Sequence, residues 1–504
     1  MPGRHILEGV VVLHETIHEL HRKKLDGVLL KIDFEKAYDK GPILRFTRPR
    51  IPGDGPVPNR RCARRCSTST SSERTATPRP ELVRNSQRSR FASVELVDEV
   101  IVLHKAWRDR QINLDKIRHE LNETNKETGK LKAKKEDATA LMQSTQEMKS
   151  RLAAKETEVQ ETKTARDAKL ATIGNIVHGS VPISNDEANN AIARTWGEKR
   201  LEGNLKNHVD LCIMLDIVAL DKGADVAGGR GYFLKGAGAR LNRALIDFGL
   251  TFLEKKGYTE MHTPFFMRKE IMGKCAQLAQ FDEELCKVTG DGEDKYLIAT
   301  SEQPLCAYLL GDRIYPADLP IKYSGFSTCF RKEAGSHGRD TAGIFRVHQF
   351  ENIEQFCVTG PNDNESWEMH EEMIKNSEDF YKELGLPYQV VSIVSGALND
   401  AAAKNYDLEA WFPASKTFRE LVSCSNCTDY QARRLEIGYG QKKKSQNKKQ
   451  PKQFVHMLNY TSDCDSEDPL LYPGELSDGG RCCGAKGVAT IHGWSRFPSF
   501  QAAS

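Results

Sequence analysis

The chain has 504 residues, 28% charged and 39% hydrophobic, with a formal net charge of +3. That length predicts more than one domain, and a charge so close to balance does not by itself argue for nucleic acid. No apolar run reaches the roughly 18 residues of a membrane span. The stretch Val10-Val11-Val12-Leu13 meets His14 and Glu15 at once, so it lacks a signal-peptide layout, and 13 scattered cysteines predict reduced thiols in the cytosol.

In chain order, residues 1–45 read as a small folded piece, with a short strand at Leu29-Leu30-Lys31-Ile32-Asp33 running into a helix. Residues 46–79 are rich in Pro, Arg, Ser and Thr and read as a disordered linker that carries Arg60-Arg61 and Arg64-Arg65. Residues 80–178 are helical: Leu103, Trp107, Leu114, Ile117 and Leu121 recur at heptad-like spacing, as do Leu141, Met148, Leu152 and Val159. Between them lies the basic, glycine-bearing Thr128-Gly129-Lys130-Leu131-Lys132-Ala133-Lys134-Lys135. This predicts an antiparallel helical hairpin with its turn there, serving as an RNA-binding arm or as a plain dimerising coiled coil. Residues 179–461 mix strand runs such as Lys295 to Thr300 with helical runs such as Leu241 to Lys255, which predicts an α+β domain on an antiparallel sheet. Residues 462–504 turn to Gly, Ser, Pro and Cys without period.

Three short runs carry chemistry. In Phe330-Arg331-Lys332-Glu333 followed by Phe345-Arg346-Val347-His348-Gln349-Phe350, two arginines on strand-like runs suit phosphate oxygens. A glutamate beside them suits an adenine amino group, and a surface hairpin of paired charges is the alternative. In Thr300-Ser301-Glu302, hydroxyls beside a carboxylate suit a small ammonium-bearing ligand, or else cap a helix. In Glu420-Leu421-Val422-Ser423-Cys424-Ser425-Asn426-Cys427, Glu420 and Ser423 offer oxygens to a magnesium ion. The lone Cys424/Cys427 pair reads as buried thiols, since a zinc site needs more ligands.

The order of these runs, with Tyr430-Gln431-Ala432-Arg433-Arg434 behind the last, resembles the class II seryl-tRNA synthetases of the cytosol over residues 80–461. The resemblance implies a class II antiparallel-sheet catalytic domain preceded by an arm that grips tRNA(Ser). It also implies a cytoplasmic homodimer, off the membrane, that uses ATP and Mg²⁺ to activate L-serine. By it, Thr300, Ser301, Glu302, Glu354 and Thr461 bind serine. Arg331, Lys332, Glu333, Arg346, Val347, Phe350, Glu420, Leu421, Val422 and Ser423 bind ATP. Arg331 and Glu333 are catalytic, and Glu420 and Ser423 hold the metal. The stretch Gly257 to Pro264 resembles the family's interface motif.

Both ends depart from the family. Leu30-Lys31-Ile32-Asp33-Phe34 resembles the strand of non-LTR reverse transcriptases that bears a metal-binding aspartate, here Asp33. No further polymerase carboxylates follow, so residues 1–45 are expected to be an inactive fragment. After Thr461 the family's last motif, a helix-forming run with an ATP-binding arginine, is missing. Read one base later, with permissible codons, Glu467 to Ser477 can encode Arg-Thr-Leu-Cys-Cys-Ile-Leu-Glu-Asn-Tyr-Gln. Val488 to His492 can encode Leu-Gln-Pro-Phe-Met, and Gly493 to Ser499 can encode Gly-Gly-Val-Asp-Phe-Leu-Pro. All three resemble the missing C-terminus, so a single-base frameshift between codons 461 and 467 is expected. Activity of the chain as written is then expected to fail, and loss of the motif's strand and helix to expose a sheet edge.

Overall fold

The computed structural model describes residues 80–134, 136–201, 205–276, 284–290, 292–332, 343–440 and 452–463, plus two short strands at Leu476–Ser477 and Arg481–Cys482. The fragment at 1–45, the linker at 46–79, Glu333 and nearly all of the tail lie outside the described residues.

Helix α1 (Pro80–Ser89) leads into α2 (Glu95–Ala133) and α3 (Thr139–Leu170), the predicted hairpin. The 39 residues of α2 span roughly 58 Å at helical rise. Leu114, Ile117 and Val159 are buried in the seam, and Leu103, Trp107, Leu121, Leu141, Met148 and Leu152 are half-buried. Arg166 lies over the Trp107 ring at 4.4 Å, and the pairs Arg118–Glu156 and Lys169–Glu99 close at 2.7 Å each. The turn falls at the far end of the predicted tip, 128–135, and not at its glycine. Helix α2 runs through it to Ala133, because an interior glycine costs only about 1 kcal/mol among good helix formers. The break comes instead before Asp137, whose carboxylate accepts from the Thr139 amide at 2.9 Å and restarts the chain as α3.

The body is an eight-stranded sheet in the order β1 (Ala191–Trp196), β5 (Tyr388–Ser392), β6 (Lys404–Phe412), β7 (Thr417–Asn426), β8 (His456–Asp463), β4 (Gln349–Thr359), β3 (Ile321–Phe330), β2 (Thr259–His262). Every neighbour is antiparallel except the edge pair β2 and β3. Helices α4 (Ala237–Lys255) and α6 (Glu365–Glu383) pack on it. Leu245, Phe248 and Phe252 recur on one stripe of α4 and are buried. A side chain at Gly249 would come within 2.9 Å of Ile353, so this glycine lets the helix close on β4.

One expectation is corrected by the sheet. Strand β8 runs two residues beyond Thr461 and pairs on both sides, with β4 and β7. No sheet edge opens there: β8 has a partner strand on each side, and four successive residues, Met457, Leu458, Asn459 and Tyr460, are buried, as on a strand covered on both faces.

The base of the hairpin is clamped to the body. Arg90 is buried and donates to the carbonyls of Asn175 at 3.0 Å, Leu398 at 3.2 Å, Asn399 at 3.0 Å, and Ala402. Gly174 makes room for it, since a β-carbon there would lie 2.8 Å from the guanidinium Nε. Asn175 in turn donates to the carbonyls of Ala401 and Cys427 at 2.8 Å each.

Candidate active site

Strand register assembles the site. Gly325 of β3, Glu354 of β4, Thr461 of β8, Ser423 of β7 and Asp407 of β6 are each directly opposite the next. Directly opposed residues share a face, so one row of glycine, two carboxylates and two hydroxyls crosses the middle of the sheet. The glycine matters: a β-carbon at 325 would lie 2.6 Å from Leu305, so its absence lets helix α5 (Glu302–Tyr308) settle over this face.

Glu354 is fully buried and accepts from the Tyr460 amide at 3.0 Å and from the Thr461 hydroxyl at 3.0 Å. Glu302 opens α5 and accepts from Gln431 Nε2 at 2.6 Å. Part of its side chain remains accessible, yet protein packs densely round the carboxyl. That burial raises its pKa, against hydrogen bonds from Gln431 and Asn459 that favour the charged form. Neither preceding hydroxyl caps the helix. Ser301 is fully buried and bonds Asn352 at 2.5 Å and the Gly325 carbonyl at 3.3 Å, so it braces the site from below. Thr300 has a buried hydroxyl with no partner among the described residues, the condition of a group kept for a ligand or water.

In a regular strand, Glu420 and Ser423, three residues apart, would face opposite ways. A register shift in β7 absorbs Leu421, so Glu420 opposes Glu409 while Ser423 opposes Asp407. The bulge thus returns Glu420 to the face of Ser423. Leu421 and Val422 are buried in the core. Asn405 donates to Asp407 at 2.7 Å and to Ser423 at 3.0 Å, and accepts from Ser425 at 2.9 Å. Burial first, then the nearby Glu420 charge, pushes the Asp407 carboxyl well above its usual range.

Arg331 and Arg346 do not sit on strands as predicted. Arg331 follows the last residue of β3 and Arg346 precedes β4. The two arms are tied by the Arg331 amide on the His348 carbonyl at 3.1 Å, and by His348 Nδ1 against the Arg331 carbonyl at 3.0 Å. The Arg331 guanidinium lies 4.7 Å from the ring centroid of buried Phe350. Val347 is buried, Arg346 is exposed, and the Lys332 amide donates to the Glu284 carbonyl at 3.0 Å. Because β3 and β4 are interior strands, the surface-hairpin alternative fails. Cys424 and Cys427 are fully buried thiols, both pushed upward by burial.

The sequence reading missed Asn405, Asp407, Gln431 and Asn459. The first two had a signal: in Asn405-Tyr406-Asp407-Leu408-Glu409, polar residues alternate with apolar ones, as on a strand with one face over a polar site.

Residues 75–177 match the seryl-tRNA synthetase N-terminal domain, and residues 285–464 match the tRNA synthetase class II core domain (G, H, P, S and T). A serine–tRNA ligase of Helianthus annuus is 68% identical over 382 residues, covering 76% of this chain and 86% of the relative. The chain belongs to the seryl-tRNA synthetase family. A cytoplasmic serine–tRNA ligase of Arabidopsis thaliana is 66% identical, over 76% of this chain and 85% of its own length. The crystal structure of a cytoplasmic serine–tRNA ligase from Naegleria fowleri in complex with AMP superposes with a TM-score of 0.72 at 47% identity, covering 84% of this chain and 96% of that one. As a seryl-tRNA synthetase, the chain has the expected α+β architecture, with an antiparallel-dominated sheet behind N-terminal helices. None of its described helices is long and apolar enough to cross a membrane.

Proposed function

We propose that the chain activates L-serine with ATP and transfers it to tRNA(Ser) in the cytoplasm. The observation that carries this is the row Glu354–Thr461–Ser423–Asp407 with Glu302 and Thr300 set over it. Glu302, Glu354, Thr300 and Thr461 offer acceptors and hydroxyls to a small zwitterion with its own hydroxyl, and Ser301 supports them through Asn352. Arg331, Lys332, Glu333, Arg346, Val347 and Phe350 serve ATP, with Leu421 and Val422 as packing beneath. The serine carboxylate attacks the α-phosphate, pyrophosphate leaves, and the arginines neutralise charge as it develops; positioning supplies most of the rate. Glu420 and Ser423 are hard oxygen donors on one face, so they suit a magnesium ion carried in with ATP, which would screen phosphate charge.

The arm at 80–178 is read as the tRNA-binding element and residues 179–461 as the catalytic domain. A homodimer is supported by the edge strand β2, the segment that resembles the interface motif. Exposed Phe265, Phe266, Tyr308 and Tyr315 follow it in the chain. Residues 1–45 are read as a reverse-transcriptase-like fragment, and the tail from 462 as the product of a frameshift. The family matches begin at residue 75 and stop at 464, in keeping with both. That stop also favours a second reading, a catalytically inactive tRNA-binding protein. Serine-dependent ATP–pyrophosphate exchange separates the two: exchange above a no-serine control establishes activation, while tRNA binding without exchange leaves only the second.

A further inference from the structure

We propose that Gln431 is a positioning residue of the amino-acid pocket: its amide N–H fixes the Glu302 carboxylate, and its carbonyl oxygen offers a second acceptor for a substrate ammonium or hydroxyl. The proposal rests on the reading of Glu302 as the ammonium partner.

The orientation of the amide is settled by its neighbour. An ionised carboxylate only accepts, so the NH₂ end of Gln431 faces Glu302, at 2.6 Å. The carbonyl end is then left over. Gln431 is 3% exposed, and its Oε1 is buried with no hydrogen-bond partner among the described residues. Buried acceptors rarely go unpaired, and this one sits beside the Thr300–Glu302 turn, whose Thr300 hydroxyl is likewise buried and unpartnered. The Gln431 carbonyl oxygen is an acceptor left over beside a carboxylate, and an ammonium brings three donors, while the Thr300 hydroxyl can donate or accept.

Gln431 is also held in place. It lies on α7 (Tyr430–Arg434), a single turn of helix stapled on both sides of it. The Tyr430 hydroxyl donates to the Ile173 carbonyl at 2.9 Å, and Arg434 donates to the Ala171 carbonyl at 2.8 Å and to the Tyr430 hydroxyl at 2.6 Å. The side chain between these anchors therefore meets Glu302 from a fixed origin. Glu302 needs that support, because a carboxylate surrounded by protein stays charged only where hydrogen bonds favour the charged form.

The test compares the full chain with its Gln431→Met variant, which keeps length and apolar volume but removes both polar ends. Serine and ATP affinities are measured separately by calorimetry, thermal midpoints by scanning, and the rate at which a water-soluble carbodiimide labels Glu302 by mass spectrometry. The expected result is serine binding weakened about tenfold or more, ATP affinity unchanged, a thermal midpoint close to the parent, and faster labelling of Glu302. Serine and ATP affinities that fall together with the thermal midpoint would reduce Gln431 to packing and overturn the proposal, as would unchanged labelling. A parent chain that binds ATP but not serine would instead defeat the reading of the pocket, and the proposal of a substrate acceptor with it; the labelling comparison would still decide whether Gln431 holds Glu302.

Discussion

At the scale of single residues, the site is a set of hydrogen-bonded carboxylates in which burial outweighs the donors at Glu302 and Asp407 and raises both. Glu302→Ala, made in a version of the chain with the family C-terminus restored, should abolish serine recognition. Removing one partner of such a pair costs roughly 2–5 kcal/mol, and an unchanged Michaelis constant and turnover for serine would leave Glu302 a purely structural group. A second residue sets a pH limit on folding. His370 is buried, its Nε2 lies 2.8 Å from the Cys424 carbonyl, and its ring stacks on Tyr406. Burial pushes its pKa down from 6.5 to about 4, partly offset by that hydrogen bond. Above 6.5 both folded and unfolded chains hold it neutral. As pH falls from there toward 4, the unfolded chain takes up a proton that the folded one refuses, so stability is lost, by as much as roughly 3 kcal/mol. Glu302 and Asp407, both raised, act in the opposite sense over acidic pH, so the comparison must isolate the histidine. His370→Gln should therefore flatten the fall in thermal midpoint between pH 7 and pH 5; an unaltered slope would place the acid sensitivity elsewhere.

At the scale of elements, the readable parts were those with a period. The run from Leu241 to Lys255 announced α4, and the heptad-like spacing in α2 and α3 announced the hairpin, because both patterns repeat within one helix. The turn was legible only to within a few residues: most of the tip read at 128–135 lies in α2, since glycine as a breaker is a weak signal against the good helix formers around it. Cross-strand facts were out of reach: nothing in Glu420-Leu421-Val422-Ser423 says that a bulge turns its first residue back onto the face of its last. The role of Gln431 was out of reach for the same reason: the run Tyr430 to Arg434 was read only as part of the family resemblance, and nothing in it points to Glu302, over a hundred residues away in sequence. For the hairpin itself, the lysines around Lys130, Lys132 and Lys134 motivate a prediction. Deleting residues 104–160 should weaken tRNA binding, with a steep salt dependence in the parent, while serine and ATP affinity hold. Equal tRNA affinity after deletion would assign the hairpin to another task.

At the scale of the whole molecule, the sequence resemblance covered the arm and the catalytic body, and the structure supports that reading up to Asp463. The proposed frameshift falls at the end of β8, an interior strand, so every strand of the eight-stranded sheet lies before it, and what the written sequence lacks on that proposal is the motif's arginine-bearing helix. The chain as written is accordingly expected to be folded over its sheet but nearly inactive. Restoring the alternative frame after Thr461 should raise serine-dependent pyrophosphate exchange a hundredfold or more, since one preorganised charge contact contributes on the order of 3 kcal/mol. Comparable exchange by both forms, at matched folded concentration, would show that the written tail supplies the missing contact.

The place of β8 also orders events on the ribosome. Strands β1, β5, β6 and β7 form one half of the sheet and β4, β3 and β2 the other, and only β8, made after both, joins them. Until residue 463 has left the exit tunnel, the nascent protein therefore carries two half-sheets, each with an open inner edge able to pair with a neighbouring chain. A chain stopped after Val455 should accumulate in the insoluble fraction or on chaperones, whereas one stopped after Asp463 should be recovered soluble. Equal solubility of the two would mean that the halves close on each other without their central strand.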